Sequence, residues 1–361
     1  MGLPFLASST KKKRDQMLAI DLGGHMTKAV HLQRRGEGFV LCGFALVDAP
    51  IYEKSPSAEL LGEHLKAVSQ ALEAKTKFVA LAVGVNDAIV RHVEMPPMPV
   101  SDMRLALKNN SKAFLQQDLP NYVFDCFFVP PRTQNAQNKA AEAPKGPAVA
   151  QKQKMLVAGA KKQLIENFQT GAKLAGLVAD QIIPGLIGPV NVFERAMPEL
   201  YATGGVALVD VGFKHSSICI LQQGELVLSR VVALGGDHLT AGLAEAMNIS
   251  YAEAEGIKIG MAGEVMAPLG ALLSPLGREL RASIDFFEHQ QDKTVTHVLV
   301  TGGSTRSEFI LQTLQSEMLI ECKTWNPTSF LQMSLSPKQV GEIEQVAPQL
   351  TVALGTALAA L

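Results

Sequence analysis

The stretch Leu18-Ala-Ile-Asp-Leu-Gly-Gly24 points to the architecture of this protein, because an apolar run ending in Asp-x-Gly occurs a second time in the chain. The second copy is Val206-Ala-Leu-Val-Asp-Val-Gly212, which places Asp210 189 residues after Asp21. Short apolar runs that stop at glycine are typical of buried strands. Two strand-like segments follow each copy, at 27–33 and 39–47 and again at 216–221 and 226–232. The repetition predicts two related lobes that each begin with a three-strand meander.

Strands and helices alternate along the rest of the chain, which indicates an α/β protein. Apolar residues at helical spacing predict helices at 61–72, 101–117 and 164–176, and another that follows Pro184-Gly185 and continues through Glu194. Further strands are predicted at 78–83, 88–93, 122–129, 155–160 and 178–183. Near the C-terminus, an apolar strand at 298–301 leads into Gly302-Gly303 and a helix through Leu314.

The composition excludes several classes of protein. With 361 residues, 47% of them hydrophobic, the chain can bury a large core in two or three lobes. A formal charge of −1 gives no attraction to nucleic acid, and apolar runs such as 79–85 and 178–187 are shorter than the ~20 residues of a spanning helix. The basic cluster Lys11–Arg14 follows an apolar segment, the reverse of a secretory signal, and the four cysteines lack CxxC spacing. These features predict a cytoplasmic protein.

The glycine turns have a chemistry of their own. A strand that ends in Asp-x-Gly exposes backbone N–H groups that can hold a phosphate, while the carboxylate can hold a hydrated metal ion. A single turn of this kind is more often an ordinary hairpin. The duplication at Asp21 and Asp210, together with the turn at Gly302-Gly303, favours one cleft faced by all three turns.

The three turns, in this order and separation, resemble the ATPase superfamily of actin, heat-shock chaperones and sugar kinases. Five further segments carry recognisable motifs: Met95-Pro96-Pro97, Gly235–Thr240, Asn248–Lys258, Glu279–Phe287 and Ala353–Ala357. In these segments the chain is similar to the PilM family of type IV pilus assembly proteins within that superfamily, to which the FtsA cell-division proteins are related.

The resemblance implies a two-lobed actin-like fold, a duplicated ribonuclease H-like α/β unit with an inserted small α+β subdomain. Residues 1–14 are expected to form a flexible tail, 15–77 and 155–198 the first lobe, and 199–361 the second, with a smaller part at about 237–290. The inserted subdomain is expected at 78–154. Its segment 130–154 has four prolines and Val149 as its one large apolar residue, which predicts a mobile loop that folding does not require.

The resemblance also implies a site for ATP or ADP with magnesium. The implied first phosphate loop contains Asp21, Gly23, Gly24 and Lys28; the second contains Asp210, Gly212 and Lys214; Glu255 and Lys258 contact the nucleoside above Gly302 and Gly303. Asp21 and Asp210 would hold the metal ion, and no residue is assigned to catalysis. Two alternatives stay open: Glu255 and Lys258 form a solvated ion pair on a helix surface, and Lys214 points to solvent.

The chain departs from the family pattern at two places. Gly24, His25 and Met26 stand where hydroxyl residues are usual, which leaves Thr27 and His25 as side-chain donors and predicts weaker phosphate binding. The segment 183–186 lacks the Asp-x-Glu common in the family, so no carboxylate there can orient an attacking water, and negligible hydrolysis is expected. His25 and His215 are expected to flank the cleft as solvated rather than catalytic residues.

The function implied by the resemblance is a cytoplasmic scaffold of a type IV pilus or related secretion assembly platform. Its implied partner is the cytoplasmic N-terminal segment of a PilN-like inner-membrane protein, which pairs like a strand within residues 78–129, with 101–129 as the narrower region. Membrane contact is then indirect, and self-association is left open. One alternative is an active ATPase or small-molecule kinase, disfavoured by the missing acid. The other is an FtsA-like division protein with an amphipathic tethering helix after the core, disfavoured because the sequence stops at Leu361 within the apolar segment 350–361, with no linker or Lys-rich helix beyond it.

Overall fold

The first of three sheets is built around the first Asp-x-Gly strand. The structure is a computed structural model that describes residues 14–52, 55–129, 152–260 and 266–361. The six strands of this sheet lie in the order β14-β3-β2-β1-β4-β8, and their bounds are β1 (Gln16–Leu22), β2 (Met26–Arg35), β3 (Gly38–Asp48), β4 (Phe78–Val83), β8 (Val178–Pro184) and β14 (Leu331–Met333). β1 is antiparallel to β2 and parallel to β4, which is in turn parallel to β8. The carboxyl ends of β1, β4 and β8 therefore meet at one edge.

Helices cover both faces of this sheet, which explains why β1 is an unbroken apolar run rather than an alternating one. Met17 through Ile20 are fully buried. One face packs against α1 (Ala58–Ala71) and α4 (Lys162–Leu174), which pack against each other. α1 begins at Ser57, whose hydroxyl accepts a hydrogen bond from the backbone N–H of Leu60 at 3.2 Å.

The second sheet repeats the meander of the first around Asp210. Its five strands lie in the order β11-β10-β9-β12-β13. Their bounds are β9 (Gly205–Val211), β10 (Ser216–Gln222), β11 (Glu225–Val232), β12 (His297–Thr301) and β13 (Cys322–Thr324). The helices of this lobe are α7 (Gly236–Met247), α8 (Tyr251–Gly260), α9 (Met266–Gln291) and α10 (Glu308–Met318), and their apolar side chains share one core with this sheet.

A separate three-stranded sheet lies between β4 and α4 in the chain, with strand order β5-β7-β6. Its strands are β5 (Ala88–Met95), β6 (Tyr122–Phe128) and β7 (Gln153–Lys161), and it carries α2 (Val100–Asn109) and α3 (Ser111–Leu115). The single helix predicted at 101–117 is wrong, because Asn110 interrupts it and its side chain accepts a hydrogen bond from the N–H of Ala113 at 3.2 Å. The predicted loop at 130–154 also extends too far, since β7 begins at Gln153; residues 130–151 lie outside the described residues.

Two buried helices connect the lobes. They are α5 (Gly188–Ala196) and α12 (Thr351–Ala360). The helix α6 (Pro198–Thr203) follows α5 in the chain, and α11 (Pro337–Val346) precedes α12. One core cluster around α5 and α12 includes residues from both large sheets, such as Leu32 from β2 and Leu208 from β9. The helices cross with their backbones in contact at two glycines: a Cβ on Gly188 would lie 2.8 Å from the Cα of Val352, and one on Gly355 would lie 2.5 Å from the Cα of Gly188.

Candidate functional site

The two Asp-x-Gly turns face each other, with a lysine between them. The ammonium of Lys28 lies 3.2 Å from Oδ2 of Asp21, and both side chains are largely buried. The pKa of Asp210 is raised to about 6: burial is the largest cause, Lys28 opposes the shift, and Asp21 adds to it. Strand register explains this arrangement, because Lys28 pairs with Asp21 across β1 and β2, while Asp210 ends the corresponding strand of the other lobe. The sequence predicted all three residues for this cleft.

Next to these charges lies a cavity of about 280 Å³, which we call the inner cavity. Eight of the predicted site residues line it: Asp21, Lys28, Asp210, Gly212, Glu255, Lys258, Gly302 and Gly303. It opens into a larger space of about 710 Å³, which we call the outer cleft. The outer cleft shares Asp21, Lys28, Asp210 and Gly212 with the inner cavity and adds the three remaining predicted residues, Gly23, Gly24 and Lys214.

Lys258 lies on the inner wall of this cavity, in a network of oxygen atoms. Only 4% of its side chain is exposed, and its ammonium donates to Oε2 of Glu255 at 2.6 Å and to the hydroxyl of Thr240 at 2.8 Å. Burial works against the charge of Glu255, but the hydrogen bonds from Lys258 and Thr240 outweigh it and lower its pKa. The alternative of a fully solvated surface pair is therefore wrong, since the ammonium is removed from water.

Glycines let the backbone approach closely at the floor of the cavity. Gly302 has φ of 100°, a conformation that other residues rarely adopt, and a Cβ there would lie 2.5 Å from Oδ1 of Asp210. A Cβ on Gly236, the first residue of α7, would lie 2.5 Å from the hydroxyl oxygen of Ser304. Any side chain at these two positions would close the space between the second lobe's Asp-x-Gly turn and its glycine turn.

The structure corrects one expected phosphate donor. Thr27 is fully buried, and its Oγ1 lies 2.7 Å from Nε2 of His64 on α1, so its hydroxyl faces the helix layer and not the cleft. Alternation along β2 is the reason, because Met26 and Lys28 take the cleft-facing side. His25 does reach the cleft, where its ring stacks on Phe213 of the opposite turn with centroids 4.7 Å apart.

Sequence reasoning missed several residues of the site. Tyr251 and Gln349 line the inner cavity, and the Tyr251 hydroxyl donates to Asp237 at 3.0 Å; burial and that hydrogen bond raise its pKa to about 12. Asp87 lines the outer cleft opposite His215. In the Val-Gly-Val-Asn-Asp stretch that ends at Asp87 the carboxylate follows the glycine, the reverse of the Asp-x-Gly order, so the pattern that identified Asp21 and Asp210 gives no signal for Asp87.

The described part of the chain has neither a cluster of metal-ligating side chains nor a membrane-spanning helix. No three His, Cys, Asp or Glu side chains there come together in a way that could hold a metal ion. None of the helices described is long and apolar enough to cross a membrane.

Similar solved structures have the same fold. A chain of the "PilM-PilN type IV pilus biogenesis complex" matches with a TM-score of 0.80 and 20% identity, over 97% of this chain and 99% of that one. The ethanolamine utilization protein EutJ from Carboxydothermus hydrogenoformans matches with a TM-score of 0.55 and 14% identity, over 97% of this chain and 91% of that one. The two-lobed actin-like fold predicted from the sequence is confirmed.

Sequence comparison points to the same group. The cell division protein FtsA of Bacillus subtilis is 29% identical over 103 residues, and that of Streptococcus pneumoniae is 23% identical over 108 residues. These matches cover 28% and 30% of this chain but only 22% and 23% of the two FtsA proteins. The family model for type IV pilus assembly protein PilM, by contrast, matches residues 19–361. The chain therefore belongs to the PilM family of actin-like type IV pilus assembly proteins.

Proposed function

We propose that this chain is a cytoplasmic scaffold of a type IV pilus or related secretion assembly platform that binds an inner-membrane partner and an adenine nucleotide. Family membership over residues 19–361 is the observation that carries this proposal. The nucleotide, ATP or ADP with magnesium, would lie between the lobes and be hydrolysed slowly or not at all. The partner would be the cytoplasmic N-terminal segment of a PilN-like protein, so that the chain reaches the membrane indirectly. Self-association remains a prediction.

The inner cavity fits a nucleoside. Its glycine floor at Gly302 admits a flat group close to the backbone, and Glu255 offers a carboxylate that is 42% exposed for hydroxyl or ring N–H donors. Lys258 holds that carboxylate in place from its buried side. Asp21 and Asp210 line both the inner cavity and the outer cleft, and the phosphates would extend from the nucleoside past these two residues.

The two carboxylates also fit magnesium. Mg²⁺ prefers oxygen ligands, keeps several of its waters, and is usually bound through one or two carboxylates and substrate phosphates. Asp21 and Asp210 are two such carboxylates at one wall, with the ammonium of Lys28 beside them. When bound, the metal would neutralise phosphate charge, and Lys28 would turn from Asp21 toward a phosphate oxygen.

Calorimetry with ATP and ADP in the presence of magnesium tests this site. We expect Lys258→Met to weaken both nucleotides by about tenfold or more, because a charge-assisted hydrogen bond contributes about 1.5 to 3 kcal/mol. Glu245→Gln, an exposed change on α7, is the matched control and should bind like wild type. Absence of binding at millimolar nucleotide would contradict the nucleotide site but not the scaffold role.

For the partner we favour a groove between two sheet edges. β5 is an edge strand of the inserted sheet and β11 an edge strand of the second lobe's sheet. Between them is a cavity of about 420 Å³, lined by residues 88–91 on one side and 228–231 on the other. The Ser229 hydroxyl, which donates to the carbonyl of Val90 at 3.4 Å, bridges the gap. An extended peptide could pair with β5 there, within the predicted region 78–129.

A steric change in this groove tests the docking. Ser229→Trp places a large side chain between β5 and β11, and we expect it to reduce binding of a labelled PilN-like N-terminal peptide by more than tenfold in an anisotropy titration. Val340→Trp, at a side chain 54% exposed on α11, is the control for the added tryptophan. Unchanged peptide binding by Ser229→Trp would exclude this groove and leave the predicted region 101–129 for the same test.

A further inference from the structure

Asp87 follows the C-terminal end of β4, close to the segment 183–186 that lacks the acidic residues of the family pattern. Asp87 closes a turn after that strand: its N–H donates to the carbonyl of Gly84 at 2.9 Å, and its Oδ2 lies 3.0 Å from where a Cβ on Gly84 would be. β4 lies between β1 and β8, so this turn lies beside both Asp21 and Gly185. A Cβ on Gly185 would lie 3.0 Å from the carbonyl oxygen of Val83.

The two spaces of the cleft give the direction of a bound nucleotide. Glu255, Lys258 and Gly303 line the inner cavity and not the outer cleft, whereas Asp87 and Gly185 line the outer cleft and not the inner cavity. Asp21 and Asp210 line both. A nucleoside in the inner cavity would direct its phosphates past the two carboxylates and into the outer cleft, which Asp87 lines.

The surroundings of Asp87 suit a proton acceptor. Its side chain is exposed to the outer cleft, where partial desolvation raises the pKa of the carboxyl and the positive charges of Lys161 and His215 act against that shift. His215 belongs to the second lobe's Asp-x-Gly turn, so the carboxylate faces the opposite lobe across the cleft. Among the described residues Tyr52 is a further titratable group beside it; burial raises the pKa of that phenol, and Asp87 adds to the shift. Asp180, nearer the start of β8, forms an ion pair with Arg14 at 3.3 Å and lines neither the inner cavity nor the outer cleft.

We propose that Asp87 faces the terminal phosphate of a nucleoside triphosphate bound in this cleft and orients the water that attacks it. The proposal rests on the proposed nucleotide site. In the step, the water oxygen forms a bond to the terminal phosphorus while the bond from that phosphorus to the bridging oxygen breaks. The bridging oxygen leaves with the electron pair on the diphosphate, and the water proton passes to Asp87 and then to solvent.

Two measurements on the full chain test this placement, with Asp87→Asn as the variant. The first is the affinity for ATP and for ADP: without the negative charge, ATP should bind about fivefold more tightly while ADP is unchanged within twofold. The second is phosphate release at saturating ATP, which we expect to be slow in wild type and at least about a hundredfold slower in the variant. Asp87→Glu should recover part of the rate. Asp292→Asn, an exposed carboxylate after α9, is the control.

The outcomes separate this proposal from the nucleotide site itself. If wild type binds neither nucleotide, both fail. If nucleotides bind but Asp87→Asn changes neither the ATP-to-ADP affinity ratio nor the rate of phosphate release, the nucleotide site stands and the role of Asp87 is overturned. Wild type that binds ATP and releases no phosphate above the buffer rate in a day would likewise overturn the hydrolytic role.

Discussion

The close contact between α5 and α12 leads to a prediction about the free energy of unfolding. Gly355 lies in the middle of α12, where its backbone contacts Gly188, and the amide of Asn191 donates to the Gly355 carbonyl at 3.1 Å. The substitution Gly355→Ala adds one methyl group. That methyl would lie 2.5 Å from the Cα of Gly188 and closer still to its carbonyl oxygen. Both neighbouring atoms belong to the backbone, so they cannot turn aside as a flexible side chain would.

The size of the effect follows from two opposing contributions. Alanine in a helix interior is favoured over glycine by about 0.8 to 1 kcal/mol. Overpacking of a tight core costs about 1 to 3 kcal/mol, and more where the backbone must move. Because α12 contacts β1, β2 and β4, a shift of this helix would disturb the core that joins the lobes. We expect a net loss of about 2 kcal/mol or more in the free energy of unfolding.

The matched control is Gly341→Ala on α11. A Cβ there meets nothing within 4 Å, so only the helix propensity changes and the variant should gain about 0.5 to 1 kcal/mol. Thermal unfolding followed by circular dichroism distinguishes the two, since each kcal/mol shifts Tm by about 2 to 4 °C in domains of 150 to 250 residues. A Gly355→Ala variant as stable as Gly341→Ala would refute the direct contact between the two helices.

Three further predictions concern single polar side chains. Asp210→Asn should raise the free energy of unfolding at pH 7.5 by up to about 3 kcal/mol, because the pKa of Asp210 in the fold is raised to about 6 and wild type therefore loses stability as pH rises from about 4 to 6. Urea titrations at pH 4 and 7.5 should show the gain only at the higher pH. His92→Gln should make the free energy of unfolding less dependent on pH in the acid range. Burial lowers the pKa of His92 to about 4, so the wild-type protein loses the stability that it has above pH 6.5 as the pH falls toward 4. Thr27→Val should cost about 1 to 2 kcal/mol by removing the contact with His64 and leave ATP affinity unchanged in calorimetry; weaker ATP binding would restore Thr27 as a phosphate donor.

Much of the fold could be predicted because its signals are local. The apolar run at 17–20 and its copy at 206–209 identify the central strands. The start of α1 is less certain from sequence, because Ser55-Pro56 is an equally good start signal and the structure uses Ser57. The break at Asn110 could not be predicted, since helical spacing of apolar residues continues across it. The three-residue strand β14 was also missed, because it exists only through its pairing with β3, which lies nearly three hundred residues earlier in the chain.

The residues of the candidate site likewise could be predicted only where a local sequence pattern or the family resemblance marks them. The repeated Asp-x-Gly turn carried enough pattern to place Asp21 and Asp210 in one cleft, and the family resemblance supplied Glu255 and Lys258. The direction of a side chain needs the register of its strand, and a one-residue error in register turns Thr27 toward the cleft instead of toward His64. Asp87 needed the order of the parallel strands, which the linear sequence does not contain.

The charges of the cleft connect its stability to its function. Asp21 and Asp210 lie at one wall of the cleft with the ammonium of Lys28 beside Asp21, so the charge of two ionised carboxylates exceeds what this lysine balances. A buried carboxylate beside a second one destabilises the fold that contains it, which is why the pKa of Asp210 rises. A bound divalent cation would remove this penalty, whereas Asp210→Asn would remove it at the cost of an oxygen ligand. The same variant should therefore be more stable and bind magnesium nucleotide less tightly, a pairing of effects that a purely structural aspartate would not produce.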